Sequence, residues 1–237
     1  DSFNGVYDAD AEYPVVKIAD TSAGFAEALA GLNQQGDQNV VINVTQNVEN
    51  ITGIQTADGN SLAVDFGGNT VTVAEGVGSK NTETNGMQLL QGSNVVLKNG
   101  TYVPANDNIL MLVQNYSDLT LEDVTLDASK HVNCQYVLSN NHGYIVMTGN
   151  TNILAASGNV AFDSCKYSSY EIPTVVIDEN MTGTIDGKIE MTGGNLIIKG
   201  GTFKNTSMDF DTFESYVADG YTATDNGNGV YTVTKAN

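Results

Sequence analysis

The chain has 237 residues, of which 28 are acidic and 9 are basic, and every basic residue is a lysine. The formal net charge of −19 repels phosphate backbones and anionic lipid, so the composition argues against a nucleic-acid-binding protein and against binding to an anionic membrane. No run of about 18 apolar residues is present, so no transmembrane helix is predicted. The charge is typical of a highly soluble protein with a self-repelling exterior.

Two helices are predicted, and the residues before the first one, 1–17, are acidic and irregular. The first helix spans 24–34, where apolar residues recur at helical spacing and Gly36 follows as a stop. Its N-cap is one of three consecutive residues, Asp20, Thr21 or Ser22. A shorter helix is predicted at 210–217.

Between the helices the hydrophobic period changes to two. Each apolar segment is short and is bounded by Gly, Asn, Asp or Ser, which is the strand-and-turn pattern of an all-β chain. The predicted strands are 39–45, 61–66, 69–74, 86–92, 94–99, 109–115, 118–127, 136–140, 144–149, 152–157, 159–164, 174–179, 183–191 and 195–204.

A repeated phrase favours stacked coils over a sandwich. NVVLKNGTY begins at Asn94, DLTLEDVTL begins 24 residues later at Asp118, and NLIIKGGTF begins a further 77 residues on at Asn195. A period in the twenties built of short strands indicates a solenoid, and the longer interval corresponds to about three further coils. A weaker copy at 159–167 is out of phase and implies unequal loop lengths.

Stacking explains the phrase, because a single coil cannot bury its own apolar side chains. Val95 and Leu119 should align inside the stack, a polar residue between the apolar positions should face water, and Gly or Asn should form the corners. Residues 38–205 would hold about seven coils. Strand edges at both ends invite aggregation unless covered, and the first helix and residues 208–235 are the predicted caps.

These segments also resemble a known family. The middle of the chain resembles right-handed parallel β-helix proteins of the pectin-lyase-like class. The run VVINVTQNV…SLAVDFGGNTVTV is similar to the opening coils of bacterial surface β-helix domains. The run FESYVADGYTATDNGNGVYTV is similar to the end of many gut-bacterial surface repeats, in which a short helix precedes a Gly-Tyr and a hairpin. The resemblance covers most of residues 20–235.

We therefore expect an all-β, right-handed parallel β-helix of about seven coils. Residues 1–19 would be an N-terminal extension and 20–207 the coils with their helical cap. Residues 208–237 would form a C-terminal cap of a short helix and a β-hairpin in the same domain. Enzymes, adhesins and phage fibres share this fold, so the resemblance implies no single function.

Enzymes of this class set requirements that the sequence meets poorly. Pectate lyases use an acidic calcium cluster and a basic residue, usually Arg, whereas this chain contains no Arg. Polygalacturonases use clustered Asp pairs and a His-bearing turn; His142 and His131 are interpreted instead as turn and loop residues. Outward acids could still pair across coils for acid–base catalysis, with Asp163, Asp178 and Asp186 as the candidates. No enzyme activity is predicted.

Metal and thiol chemistry is equally sparse. Residues 225–229 (DNGNG) offer oxygen ligands, but their place between two short strands indicates a hairpin turn. No cofactor or metal site is predicted, and a structural calcium ion is a minor alternative. Cys134 and Cys165 are either two free thiols or one disulfide.

The sequence favours a non-catalytic structural or recognition protein on an extracellular, cell or virion surface, an adhesin-like module or spacer with a glycan or protein partner. An exposed Tyr gives a rigid contact area with a polar tip, and the candidate binding residues are Tyr102, Tyr116, Tyr136, Tyr144, Tyr167 and Tyr170. The alternatives are a phage fibre or capsid-decoration protein and a carbohydrate-active β-helix lyase or hydrolase. A concave groove with at least two acids facing tyrosines would favour the enzyme, and a flat flank would favour the module. A homo-oligomer or larger assembly is also open.

Overall fold

The computed structural model describes residues 14–166 and 168–237. Its two helices are α1 (Ser22–Ala28) and α2 (Phe210–Glu214). The strands are β1 (Val15–Ala19), β2 (Asn39–Val44), β3 (Val48–Thr52), β4 (Ile54–Thr56), β5 (Ser61–Asp65), β6 (Thr70–Glu75), β7 (Asn85–Leu89), β8 (Asn94–Pro104), β9 (Met111–Asn115), β10 (Asp118–Asp127), β11 (Tyr136–Asn140), β12 (Tyr144–Thr148), β13 (Asn152–Leu154), β14 (Val160–Cys165), β15 (Thr174–Ile177), β16 (Thr184–Asp186), β17 (Lys188–Thr192), β18 (Asn195–Ile198), β19 (Thr202–Lys204), β20 (Tyr221–Asp225) and β21 (Val230–Lys235).

The strands form a parallel β-solenoid of about seven turns, as the repeat predicted. Within the described residues, six turns each contribute one segment to each of three faces, whereas β1 adds a segment to the first face alone and β18 and β19 add segments to the first two. The first face contains β1, β2, β5, the first halves of β8 and β10, β12, β15 and β18. The second contains β3, β6, the second halves of β8 and β10, β13, β16 and β19. The third contains β4, β7, β9, β11, β14 and β17.

One residue turns the chain between the first two faces in β8 and β10. Asn99 has φ 57° and Asp123 has φ 51°, both in the left-handed region that Asn and Asp tolerate better than most residues. The Asp123 carboxylate also accepts a hydrogen bond from the backbone N–H of Asn150, at 2.7 Å, in the next coil. Each long strand therefore bends sharply without a loop, and Asn takes the corner role that the sequence predicted for it.

The register of the first face explains the repeat. Asn94 pairs with Asp118, and the same row continues through Tyr144 and Thr174 to Asn195, three coils beyond Asp118. The weaker copy at 159–167 begins on the third face, in β14, and this is why it is out of phase. Equivalent residues of the three strong copies therefore lie in the same stacked row, and those of the first two copies are direct neighbours.

The interior of the coils is the hydrophobic core. Val95 and Leu119, which the repeat placed inside, are each 1% exposed, and the core cluster runs from Phe25 near one end to Val233 near the other. Full burial of an aliphatic side chain of this size stabilises a fold by about 1.5–3 kcal/mol. Stacking therefore supplies the stability that one coil lacks.

The N-terminal end differs from the sequence prediction. Residues 15–19 are not irregular: they form β1, which pairs with β2 at the edge of the first face. The segment was missed because VVKIA is short and does not alternate. Helix α1 is capped by Thr21, whose hydroxyl accepts from the Gly24 N–H at 3.0 Å, and it ends at Ala28 rather than residue 34. Gly31, three residues beyond the end of α1, has φ 84°, a left-handed backbone conformation that cannot be part of an α-helix.

At the C-terminal end, α2 is followed by the hairpin of β20 and β21, and β21 pairs antiparallel with β19. The run 225–229 forms the hairpin turn, where the Asp225 carboxylate accepts from the Gly227 N–H at 2.8 Å. Neither helix in the described part of the chain is long and apolar enough to cross a bilayer. Cys134 and Cys165 are both free thiols, and burial raises the pKa of Cys134 to about 12.

Candidate functional site

An apolar row runs along the outer surface of the first face. Because strand side chains alternate, these residues point away from the core that their neighbours fill. Only Thr120 among them is polar, so the expectation that this position is polar and faces water is wrong. The row, in coil order, is Val41, Ala63, Val96, Thr120, Val146, Val176 and Ile197. Its first three members form a buried cluster separate from the main core.

Polar residues border the apolar row on both sides. One border is formed by Asn39, Ser61, Asn94, Asp118, Tyr144, Thr174 and Asn195. The other is formed by Asn43, Asp65, Lys98, Glu122 and Thr148. Neighbouring members interact: the Lys98 ammonium lies 3.9 Å from the Asp65 carboxylate. Val41, Ala63, Val96 and Val176 are buried, whereas Thr120 and Val146 are partly exposed and Ile197 is exposed. The strip that is open to solvent therefore lies around Thr120, Val146 and Ile197, with hydrogen-bonding groups along its edges.

A cavity of about 680 Å³ lies over the middle of this strip, and we call it the groove. Val96, Thr120 and Val146 are on its floor. Its polar lining is Asn94, Asp118, Glu122, Tyr144, Thr148, Asp178 and Asn180. The Asp178 carboxylate is already engaged, since it accepts from the Asn180 side chain at 2.8 Å and from the Thr148 hydroxyl at 3.4 Å.

A second cavity of about 210 Å³ adjoins the groove, and we call it the aromatic pocket. The two cavities share Asn94, Asp118 and Tyr144. The rest of the pocket is lined by Gln91, Gly92, Ser93, Tyr116, His142, Gly143, Glu171, Ile172 and Thr174. Neither Lys nor Arg is among the described residues that line either cavity.

Aromatic packing supports the wall of the pocket. The Tyr170 ring centroid lies 5.2 Å from that of His142 and 6.2 Å from that of Tyr116, in edge-on geometry in both cases. The Nδ1 atom of His142 is buried and has no hydrogen-bond partner within the described residues. A buried polar atom without a partner is uncommon in folded proteins.

The structure brings three of the predicted tyrosines together and separates the others. Tyr116 and Tyr144 line the aromatic pocket, and Tyr170 packs behind it. Tyr144 and Tyr170 are exposed, and Tyr116 is partly buried. Tyr136 is on the third face, and Tyr167 lies outside the described residues.

The prediction that Tyr102 is exposed is wrong. Its side chain is fully buried, its hydroxyl donates to the Gly86 carbonyl at 2.8 Å, and its ring centroid lies 6.3 Å from that of Phe66. Burial raises the pKa of its phenol well above the ordinary value. Tyr102 pairs in register with Leu126, which is at an inward position of the repeat, so the alignment of the repeat copies indicates that Tyr102 is buried.

A separate acidic cluster surrounds Tyr136 on the third face. Asp163 and Glu190 are register partners in adjacent coils, and the Tyr136 hydroxyl donates to the Glu190 carboxylate at 3.5 Å. Burial raises the pKa of Asp163 to about 6, and the negative charge of Glu190 contributes further; hydrogen bonds from Ser139 and Asn140 act in the opposite direction. Asp163 therefore pairs across coils with a second acid, whereas Asp186 accepts from the Asn205 side chain at 2.7 Å.

No group of three or more His, Cys, Asp or Glu side chains lies close enough to hold a metal ion in 14–166 and 168–237. Comparison with protein-family models, with curated proteins and with solved structures found no match.

Proposed function

We propose that this chain is a non-catalytic recognition module on an exterior surface and that its groove binds an extended, neutral glycan. The observation that carries the proposal is the mainly apolar floor of the groove, formed by Val96, Thr120 and Val146, with hydrogen-bonding side chains along both edges. A sugar ring has apolar C–H faces and hydroxyl edges, which match such a floor and such borders. A polymer lying along the solenoid axis over Thr120 and Val146 would meet this combination in two adjacent coils.

The negative charge of the groove determines which class of glycan we expect it to bind. Asp118, Glu122 and Asp178 line the groove, and the chain as a whole carries −19. Uronate or sulfated polymers are repelled by this field, whereas uncharged chains are not. The proposal therefore favours neutral polysaccharides over pectin-like ones.

The proposed setting is the exterior of a gut bacterium or of its phage, within the pectin-lyase-like class of surface β-helices. The support is the similarity of the opening coils and of the C-terminal helix and hairpin to such surface domains, together with the acidic, Arg-free composition. A fibre or capsid-decoration protein of a virion would have the same features. Mass spectrometry of purified particles and of cell envelopes distinguishes the two settings.

A carbohydrate-cleaving enzyme is a second candidate, because the groove is concave and places acids opposite Tyr144. Asp118 and Glu122 are four residues apart on one strand, so their Cα atoms are separated by about 13 Å. The carboxyl pairs of glycosidases are about 5–9.5 Å apart. Glu122 and Asp178 lie two coils apart, about 10 Å between Cα atoms. This second pair is the one to test, although Asp178 is engaged by Asn180 and Thr148.

The test uses a panel of neutral and uronate polysaccharides with isothermal titration calorimetry. Thr120→Lys places a long charged side chain on the groove floor, and Thr125→Lys makes the same change on the second face of the same strand. We expect the wild type and Thr125→Lys to bind a neutral glycan and Thr120→Lys to lose it. Equal binding by the two variants, or no binding by the wild type, contradicts the proposal. Turnover of any polysaccharide that disappears in Glu122→Gln would establish the enzyme instead.

A further inference from the structure

We propose that the aromatic pocket binds an alkylammonium group. This inference goes beyond the glycan-binding groove and does not depend on glycan binding, because Tyr116, His142 and Glu171 line only the pocket, although the two cavities share Asn94, Asp118 and Tyr144. Its volume of about 210 Å³ is less than a third of the 680 Å³ of the groove, which suits a small organic head group and not a polymer.

Aromatic rings supply the first attraction. Tyr116 and Tyr144 both line the pocket, and a cation within about 6 Å of a Tyr ring centroid is attracted by the ring quadrupole. Tyr170 holds the Tyr116 and His142 rings by edge-on contacts. A ring held in place before binding loses little conformational entropy when the ligand arrives, so the Tyr116 contact is pre-organised, whereas Tyr144 is exposed.

Carboxylates supply the second attraction. Asp118 and Glu171 line the same pocket, and no described lining residue is Lys or Arg. The net charge of −19 adds a long-range field that concentrates cations near the surface. Tyrosine rings and carboxylates together form the aromatic-cage chemistry that recognises quaternary and primary ammonium groups.

His142 adds a specific polar contact. His142 lines the pocket, and its Nδ1 atom is buried without a hydrogen-bond partner in the described structure. A rotation of the imidazole that exposes this nitrogen would let a ligand hydroxyl or N–H beside the ammonium group pair with it and remove the cost of an unsatisfied buried atom. The preferred ligand therefore carries a hydroxyl close to its nitrogen.

Two sources present this chemistry. One is an amino sugar, whose ring could lie in the adjoining groove because the cavities share Asn94, Asp118 and Tyr144. The other is a choline-type head group. The two ligands share the ammonium and the hydroxyl and differ in what is attached to them.

The experiment titrates the full chain with four small ligands, observed by NMR chemical-shift changes. The ligands form two pairs: choline with its neutral isostere, in which carbon replaces the charged nitrogen, and glucosamine with its N-acetylated form. We expect the charged member of at least one pair to bind about tenfold more tightly than the neutral member. The pair that shows the difference identifies the source.

Variants separate a specific site from general attraction to an acidic protein. Glu171→Gln removes one charge from the pocket, and Glu49→Gln removes one from an exposed position on β3. Tyr116→Leu keeps an apolar side chain but removes the ring. We expect Glu171→Gln and Tyr116→Leu each to weaken cation binding several-fold and Glu49→Gln to leave it unchanged, with unfolding curves recorded to confirm that each variant folds.

Three results overturn the proposal: no binding of either cation, equal affinity for the charged and neutral members of both pairs, or equal effects of Glu171→Gln and Glu49→Gln. Thr120→Lys tests cation binding in the pocket separately from glycan binding in the groove. It should abolish glycan binding while choline binding remains, because Thr120 does not line the aromatic pocket.

Discussion

Replacing Asp163 with asparagine should stabilise the protein at neutral pH. Burial raises the pKa of this carboxyl from 3.8 to about 6, so the folded protein holds the proton more tightly than the unfolded chain does. Stability from this group is fully present below pH 3.8 and is lost as the pH rises through about 6. At about 1.4 kcal/mol for each pH unit, the total loss is about 3 kcal/mol.

The side-chain amide of the Asp163→Asn variant cannot ionise, and its oxygen can still accept the hydrogen bond that the Asn140 N–H donates to Asp163 at 2.9 Å. Urea unfolding at pH values from 3.8 to 7 measures the effect. The free energy of unfolding of the variant should exceed that of the wild type by an amount that grows with pH to about 3 kcal/mol. Asp107→Asn, at an exposed position, is the control for general charge repulsion. A difference independent of pH, or a variant less stable than the wild type at pH 7, would refute the reasoning.

Two further substitutions test the interior. Tyr102→Phe removes the hydroxyl that donates to the Gly86 carbonyl, so a buried acceptor loses its donor. The free energy of unfolding in a urea titration should fall by about 1–3 kcal/mol. An unchanged urea midpoint would contradict this prediction. Gly100→Ala places a methyl group against the Phe66 Cβ and the Asn69 carbonyl oxygen. We expect the thermal midpoint to fall, with a loss of about 1–3 kcal/mol in the free energy of unfolding. A variant as stable as the wild type would show that the backbone next to Asn99 adjusts to the added methyl group.

Much of the solenoid could be predicted because its information is local and repeated. The segments 118–127 and 136–140 have the predicted bounds, and the phrases at Asn94, Asp118 and Asn195 fall in one row. Strands β3 and β4 were missed because they are short, and Asn50 interrupts β3 with φ 58°.

The candidate site was harder to predict for two physical reasons. Runs such as NVVL and TVVI contain the residues of the apolar row. In a sheet with one buried face, the third residue of each run would be polar and would face water, and this is the expectation that proves wrong. The meeting of Tyr116, His142 and Tyr170 depends on the register between coils of unequal length and on the path of a connection, and no local pattern encodes either. The sequence identifies the candidate tyrosines by residue type alone, whereas the proximity of three of them depends on how the coils stack.

The connections between strands differ in length, and the residues that keep this protein folded are largely separate from those that line the aromatic pocket. Asn99 turns the chain between two faces with a single residue, whereas the connection from β14 to β15 runs from Cys165 to Thr174 and brings Glu171 and Ile172 to the aromatic pocket. Closing a longer loop adds little entropic cost, since the cost grows only with the logarithm of loop length. This connection can therefore be exchanged for another of different length and sequence while the stacked rows remain, so the lining of the pocket can change without a change in the fold.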